Sequence, residues 1–306
     1  MRNLILTAAF CALAASPPAL GQGGTCGGFT AAMRQAYREA KPQAAAQILH
    51  RAEGAHLCSG GQLASLGEQA ALVFYKAAFA GGKSAQDRAY LLREGLKLGR
   101  PWQALAALGD MMVKGGRYAA AAGLFSEAWE NSATAGARVR AILRRKADVS
   151  ALLAPGYTPP VMRCGQKAPA GGGKGGTILA RRGCAGDGRP PAPVPFAPGS
   201  ASLTPRARAF AAAMLAWAER KKARRIELTG YSDRRGNALA NFRLSMARAR
   251  AVRRYLRAHG FKGGVIVRAR GETAPPAVFA SLPSRAAMRA SRRVDMRIDG
   301  IREETR

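Results

Sequence analysis

The run from Tyr231 to Val252, YSDRRGNALANFRLSMARARAV, constrains the fold more than any other part of the chain. Arg225 to Gly230 alternates as a strand, which runs on to end in Ser232-Asp233. A Gly-containing loop then turns, and a helix runs from about Asn237 to His259 and stops at Gly260. The flanking segments extend the pattern. Val194-Pro195-Phe196 reads as a short first strand. Ser202 or Thr204 caps a helix with Pro205 in its first turn, and Phe210, Ala213, Met214 and Trp217 line one apolar face. Val265 to Ala269 and Val294 to Ile298 are two further strands, with Pro283 to Arg289 a short helix before the last. The order β-α-β-α-β-β predicts an α+β module over residues 194–303, with helices on one side of the sheet.

The chain before this module is different in kind. Residues 1–21 read as a secretory signal peptide: basic Arg2, an apolar run from Leu4 to Ala15, and a small-x-small site at Ala19-Leu20-Gly21. Phe10 precedes Cys11 where a lipoprotein box needs a small residue, so soluble release is expected rather than a lipid anchor. No later segment has the apolar length of a transmembrane helix. Residues 22–154 are rich in Ala, Leu, Gln, Glu and Arg, with breaks at Ser59-Gly60-Gly61, Gly81-Gly82, Gly99-Arg100-Pro101 and Gly115-Gly116. They predict an all-α domain of stacked helical hairpins. Leu105, Leu108-Gly109, Met112, Gly116, Tyr118, Ala121, Phe125 and Ala128 fall at the spacing of the tetratricopeptide repeat, so the region is TPR-like, with an unrelated helix bundle as the alternative. Residues 155–193 hold Pro159-Pro160, a Gly171 to Gly176 run and Pro190-Pro191-Ala192-Pro193, the composition of a linker.

Four cysteines outside the signal segment, Cys26, Cys58, Cys164 and Cys184, suggest disulfides in an exported chain. Three pairings are open; the local one, Cys26 with Cys58 and Cys164 with Cys184, is expected because each bridge would staple one segment. None forms a C-x-x-C pair, so neither zinc nor redox chemistry is indicated. Lys and Arg total 49 against 18 Asp and Glu, a net charge of +31. Such an imbalance implies anionic surroundings, or else a bias spread through the whole composition. His50, His56 and His259 are scattered, and no nucleophile-base order, metal cluster or carboxylate pair indicates catalysis. A non-enzyme without cofactor or metal is expected.

The Tyr231–Val252 run carries the pattern S/T-D-x-x-G-x-x-x-x-N-x-x-L-S-x-x-R-A-x-x-V and resembles the core of the OmpA-like peptidoglycan-binding domain. Three further segments match in order: Phe196 to Pro205, Gly271-Glu272-Thr273-Ala274-Pro275, and Ser291-Arg292-Arg293-Val294. The resemblance implies a site for the diaminopimelate of a cell-wall stem peptide. Asp233 would take its ammonium and Arg248 its carboxylate, with Asn241 sharing the face of Arg248, and Arg292 or Arg293 adding a second carboxylate contact while the other packs or faces solvent. The bland alternative pairs Asp233 with Arg248. Gly199, Ala269 and Ser291 depart from the family pattern and bear on affinity more than on fold.

These residues imply a periplasmic, Gram-negative envelope protein, associated with the outer membrane or free of it. Its C-terminal domain would hold peptidoglycan and its helical domain a protein partner. An anionic lipid surface is a further expected partner; nucleic acid is not. The rival reading is a scaffold that binds anionic lipid or polymer by charge alone, and a third is a wall-modifying enzyme with its active site in the helical region.

Overall fold

The structure, a computed structural model, describes residues 25–159, 191–272 and 282–298. The signal segment, Cys164, Cys184 and Thr273 to Pro275 lie outside the described residues.

Residues 25–159 are helical, as their composition predicts. The helices are α1 (Cys26–Arg38), α2 (Pro42–Ala55), α3 (Gly60–Phe79), α4 (Ala85–Leu98), α5 (Trp102–Lys114), α6 (Tyr118–Glu130) and α7 (Ala137–Leu153). The four predicted breaks fall at four of the six junctions, and the α1–α2 and α6–α7 turns have no Gly-rich break to mark them. Ser59 and Gln62 form a capping box at the start of α3, each side chain meeting the other's backbone N–H. Gly116, at φ +70°, turns the chain between α5 and α6.

In the α5–α6 hairpin, Leu105, Leu108, Met112, Ala121, Phe125 and Ala128 share one core. A Cβ at Gly109 would lie 2.8 Å from the Phe125 ring, so glycine permits the close approach. Cys26 and Cys58 are joined in a disulfide with Cα atoms 5.0 Å apart, fastening α1 to the loop before α3.

The C-terminal module follows the expected order: β1 (Val194–Pro195), α8 (Pro205–Arg220), β2 (Arg225–Ser232), α9 (Ala238–Ala258), β3 (Gly264–Glu272), α10 (Ser284–Ser291) and β4 (Arg293–Ile298). The sheet order is β1-β4-β2-β3. Strands β2 and β3 run parallel, and β4 is antiparallel to both β2 and β1. One face buries Ile226, Leu228, Val294 and Met296 against Phe210, Met214 and Trp217 of α8 and Val252 and Leu256 of α9. Each large side chain so buried contributes about 1.5–3 kcal/mol relative to exposure. The opposite face is polar: Arg268 pairs with Glu227 at 2.7 Å, and Arg293 stacks 4.0 Å from the Tyr231 ring and pairs with Asp295.

The two halves share packing. Val149 and Leu153 of α7 meet Ala290 of α10. Arg206 Nη2 donates to Ala151 O at 2.7 Å and Leu152 O at 3.2 Å, while Arg289 Nη1 donates to Leu153 O at 3.2 Å. The last carbonyls of α7 lack partners within the helix, so two arginines of the sheet module cap them.

Candidate functional site

Three segments converge at the C-terminal end of β2: the β2–α9 loop, the inner face of α9, and the loop of residues 196–204. Gly230 sets the spacing. A Cβ there would sit 2.0 Å from Ser245 O, so only glycine lets α9 lie this close to the strand. Asn237 Oδ1 accepts the Ala240 N–H at 2.7 Å and starts the helix immediately after the turn. Asn241, Ser245 and Arg248 then follow at helical spacing on one buried face.

Arg248 is fully buried. Its Nε donates to Ser200 O, its Nη1 to Tyr231 O and its Nη2 to Ala197 O, each at 2.9 Å. The Phe196 ring lies 5.4 Å from the guanidinium carbon. Gly199, at φ +63°, bends the loop that presents two of these carbonyls. A guanidinium has five N–H donors. Three of those on Arg248 are held by neutral carbonyls, and the remaining two have no partner among the described residues. Burial, and then the nearby charge of Arg292, push its pKa down to about 10 against the opposing pull of Asp233, so it stays cationic at neutral pH.

Asp233 is also buried, at 7% exposure, just past the end of β2. Its Oδ2 accepts Arg292 Nη1 at 2.9 Å and Arg235 Nη2 at 2.8 Å. Arg292 also donates from Nε to Phe196 O at 3.1 Å, and its side chain is as hidden as that of Asp233. Arg235 differs, its side chain being 56% exposed. Burial raises the Asp233 pKa, but hydrogen bonds from Arg235 and Arg292 outweigh it and hold the carboxyl below its usual value. The Oγ of neighbouring Ser232 is buried without a hydrogen-bond partner among the described residues. Asn241 donates from Nδ2 to Glu272 Oε2 at 2.9 Å, and Ser245 Oγ accepts the Gly271 N–H at 3.1 Å, tying the end of β3 to α9.

The structure therefore brings Asp233, Arg248, Asn241 and Arg292 to one end of the sheet. Arg248 and Arg292 approach closely enough to repel, and Asp233 offsets part of that repulsion. The ion-pair partners of Asp233 are Arg235 and Arg292 rather than Arg248. Arg292 meets Asp233 directly, whereas the resemblance gave it a ligand carboxylate. Arg293 stacks on Tyr231 across the sheet instead. Sequence reasoning passed over Arg235, whose only signal is its place two residues after Asp233, and Ser232, whose signal is the S/T of the motif.

Residues 195–289 match the OmpA family model. The C-terminal domain is OmpA-like. Among solved structures, it is similar to the OmpA-like domain of FopA1 from Francisella tularensis subsp. tularensis SCHU S4, at 18% identity over 34% of this chain and 68% of that one, with a TM-score of 0.29. It is also similar to the peptidoglycan-associated lipoprotein from Burkholderia pseudomallei, at 26% identity over 34% and 86%, with a TM-score of 0.30. No curated protein matches the chain. Among the described residues, no helix is long and apolar enough to cross a membrane.

Proposed function

We propose that the OmpA-like domain binds the diaminopimelate end of a peptidoglycan stem peptide, without catalysing a reaction. The observation that carries this is the state of Arg248: a buried guanidinium, positioned by three neutral carbonyls, with two N–H donors left over. The donors left over on a guanidinium suit a carboxylate. Asp233 supplies the second half. Arg235 already rests a cation on its Oδ2, so an ammonium can take the same oxygen once Arg235 swings into solvent. Three guanidinium groups around one carboxylate leave the cluster net positive, which draws in the acid-rich end of such a peptide. The unpartnered Ser232 hydroxyl is one more group for a bound peptide to satisfy. Arg292 holds Asp233 in place in this scheme, and Asn241 and Glu272 brace the wall of the site.

The OmpA family match supports association with the cell envelope. With the sequence's export signal, it favours a periplasmic protein. The helical half is proposed as a TPR-like docking domain for a protein partner. Tyr37, Phe79 and Tyr90 are exposed there, and aromatic residues are common anchors at protein interfaces.

Retention on purified sacculi tests the proposal. Wild type should pellet with the sacculi, and Asp233→Asn should stay in the supernatant while keeping its fold. Equal retention of both would overturn it. Release of muropeptides during incubation would instead favour a wall-modifying enzyme.

A further inference from the structure

We propose that the outer face of α9 is a docking surface for an anionic lipid bilayer, separate from the wall-peptide site on its inner face. Helix α9 contains six arginines and no acidic residue. Arg248 points inward; Arg243, Arg250, Arg253, Arg254 and Arg257 are exposed. At about 100° per residue they fall on one outward stripe. Arg243, Arg250, Arg253 and Arg254 have no carboxylate partner among the described residues, and neither has Arg208 of α8 beside them.

The same stripe is apolar in its first turns. Leu239 is 58% exposed and Phe242 47% exposed. With Met246, Phe242 edges a groove of about 480 Å³ flanked by Arg243, Arg250 and Arg254. A second groove of about 700 Å³ continues past Arg254 to Leu203, Arg208 and Tyr255. A soluble polyanion gains little from exposed Leu and Phe. A bilayer satisfies both halves: phosphate headgroups meet the arginines while Leu239 and Phe242 enter the interface. One helix thus turns a single guanidinium toward the proposed wall peptide and a row of them toward lipid, so the domain can sit between the two.

Vesicle co-sedimentation of the full chain tests this, using phosphatidylcholine vesicles with and without about 30 mol % phosphatidylglycerol at about 0.1 M salt. The expected result is partition onto the anionic vesicles alone. Arg250→Glu with Arg254→Glu should lower the partition coefficient roughly ten- to hundredfold. Leu239→Ser with Phe242→Ser should lower it severalfold and make the remainder sensitive to salt. All four residues are exposed, so thermal unfolding should be unchanged, and retention on sacculi should persist in both variants. Binding that ignores the arginine changes would overturn the proposal. So would binding that ignores the Leu239 and Phe242 changes while soluble polyglutamate competes through the same arginines, which would mark an acidic-polymer site.

Discussion

Arg235 Nη2 lies 2.8 Å from Asp233 Oδ2 on an otherwise exposed side chain, so the chain supplies its own cation to the acid proposed to receive the ligand's ammonium. The arginine end of this pair is exposed, so it can swing into solvent at little cost. Removing the competitor should help the ligand. Arg235→Ala is expected to tighten binding of a diaminopimelate-containing muropeptide about two- to fivefold in a calorimetric titration. Weaker binding in this variant would show that Arg235 holds the ligand rather than competing with it.

The pH dependence follows from Asp233. Its folded pKa lies below the ordinary value because hydrogen bonds from Arg235 and Arg292 outweigh burial. The stability it contributes is therefore present above the unfolded pKa and is lost as pH falls through the lower folded value. Retention on sacculi should be flat from about pH 8 to about pH 5 and decline only once the pH falls below the ordinary Asp value of about 3.9. The thermal stability gap between wild type and Asp233→Asn should close over the same acidic range.

Arg248 should be irreplaceable even by lysine. A lysine ammonium cannot reach Ser200, Ala197 and Tyr231 carbonyls with a planar fork, so some of these acceptors would be left unpaired in a buried site. Arg248→Lys is expected to destabilise the OmpA-like domain by about 2–4 kcal/mol in denaturant unfolding. Gly230→Ala should be at least as damaging, because its methyl would collide with Ser245 O and push α9 off the strand.

The Cys26–Cys58 bridge closes a separation of 32 residues. Its removal frees a loop of that size in the unfolded chain, which costs about 3–4 kcal/mol. Cys26→Ser with Cys58→Ser should lower the unfolding temperature of the helical half while leaving muropeptide binding intact.

Arg206 and Arg289 cap the end of α7 from the other half of the molecule. Arg206→Ala with Arg289→Ala should loosen that contact. Calorimetry is expected to split one cooperative transition into two, with the sheet module still folded between them.

Much of this architecture was legible in the residues. The Gly-rich breaks mark four of the six helix junctions, and the Leu108, Gly109 and Phe125 spacing anticipates the α5–α6 seam. The Phe210 to Trp217 face and the alternation of β2 place the core of the C-terminal module. What sequence could not show is how Arg248 is held. Its partners are backbone carbonyls about fifty residues away and at Tyr231, and a carbonyl has no residue signature. Arg235 was hidden for another reason: in a chain of 49 basic residues, one more arginine beside an acid carries no signal until its side chain is placed. The docking of α7 on α8 and α10 was equally silent, since it joins ends of helices separated by the Pro/Gly-rich segment.

The most direct measurement is a titration of the isotope-labelled chain with a diaminopimelate-containing muropeptide, followed through backbone amide shifts. Shifts should cluster at Ala197 to Ser200, Tyr231 to Arg235 and around Arg248, saturate in the micromolar to millimolar range, and vanish in Asp233→Asn. Saturating shifts that avoid these residues, or that persist in Asp233→Asn, would contradict the account.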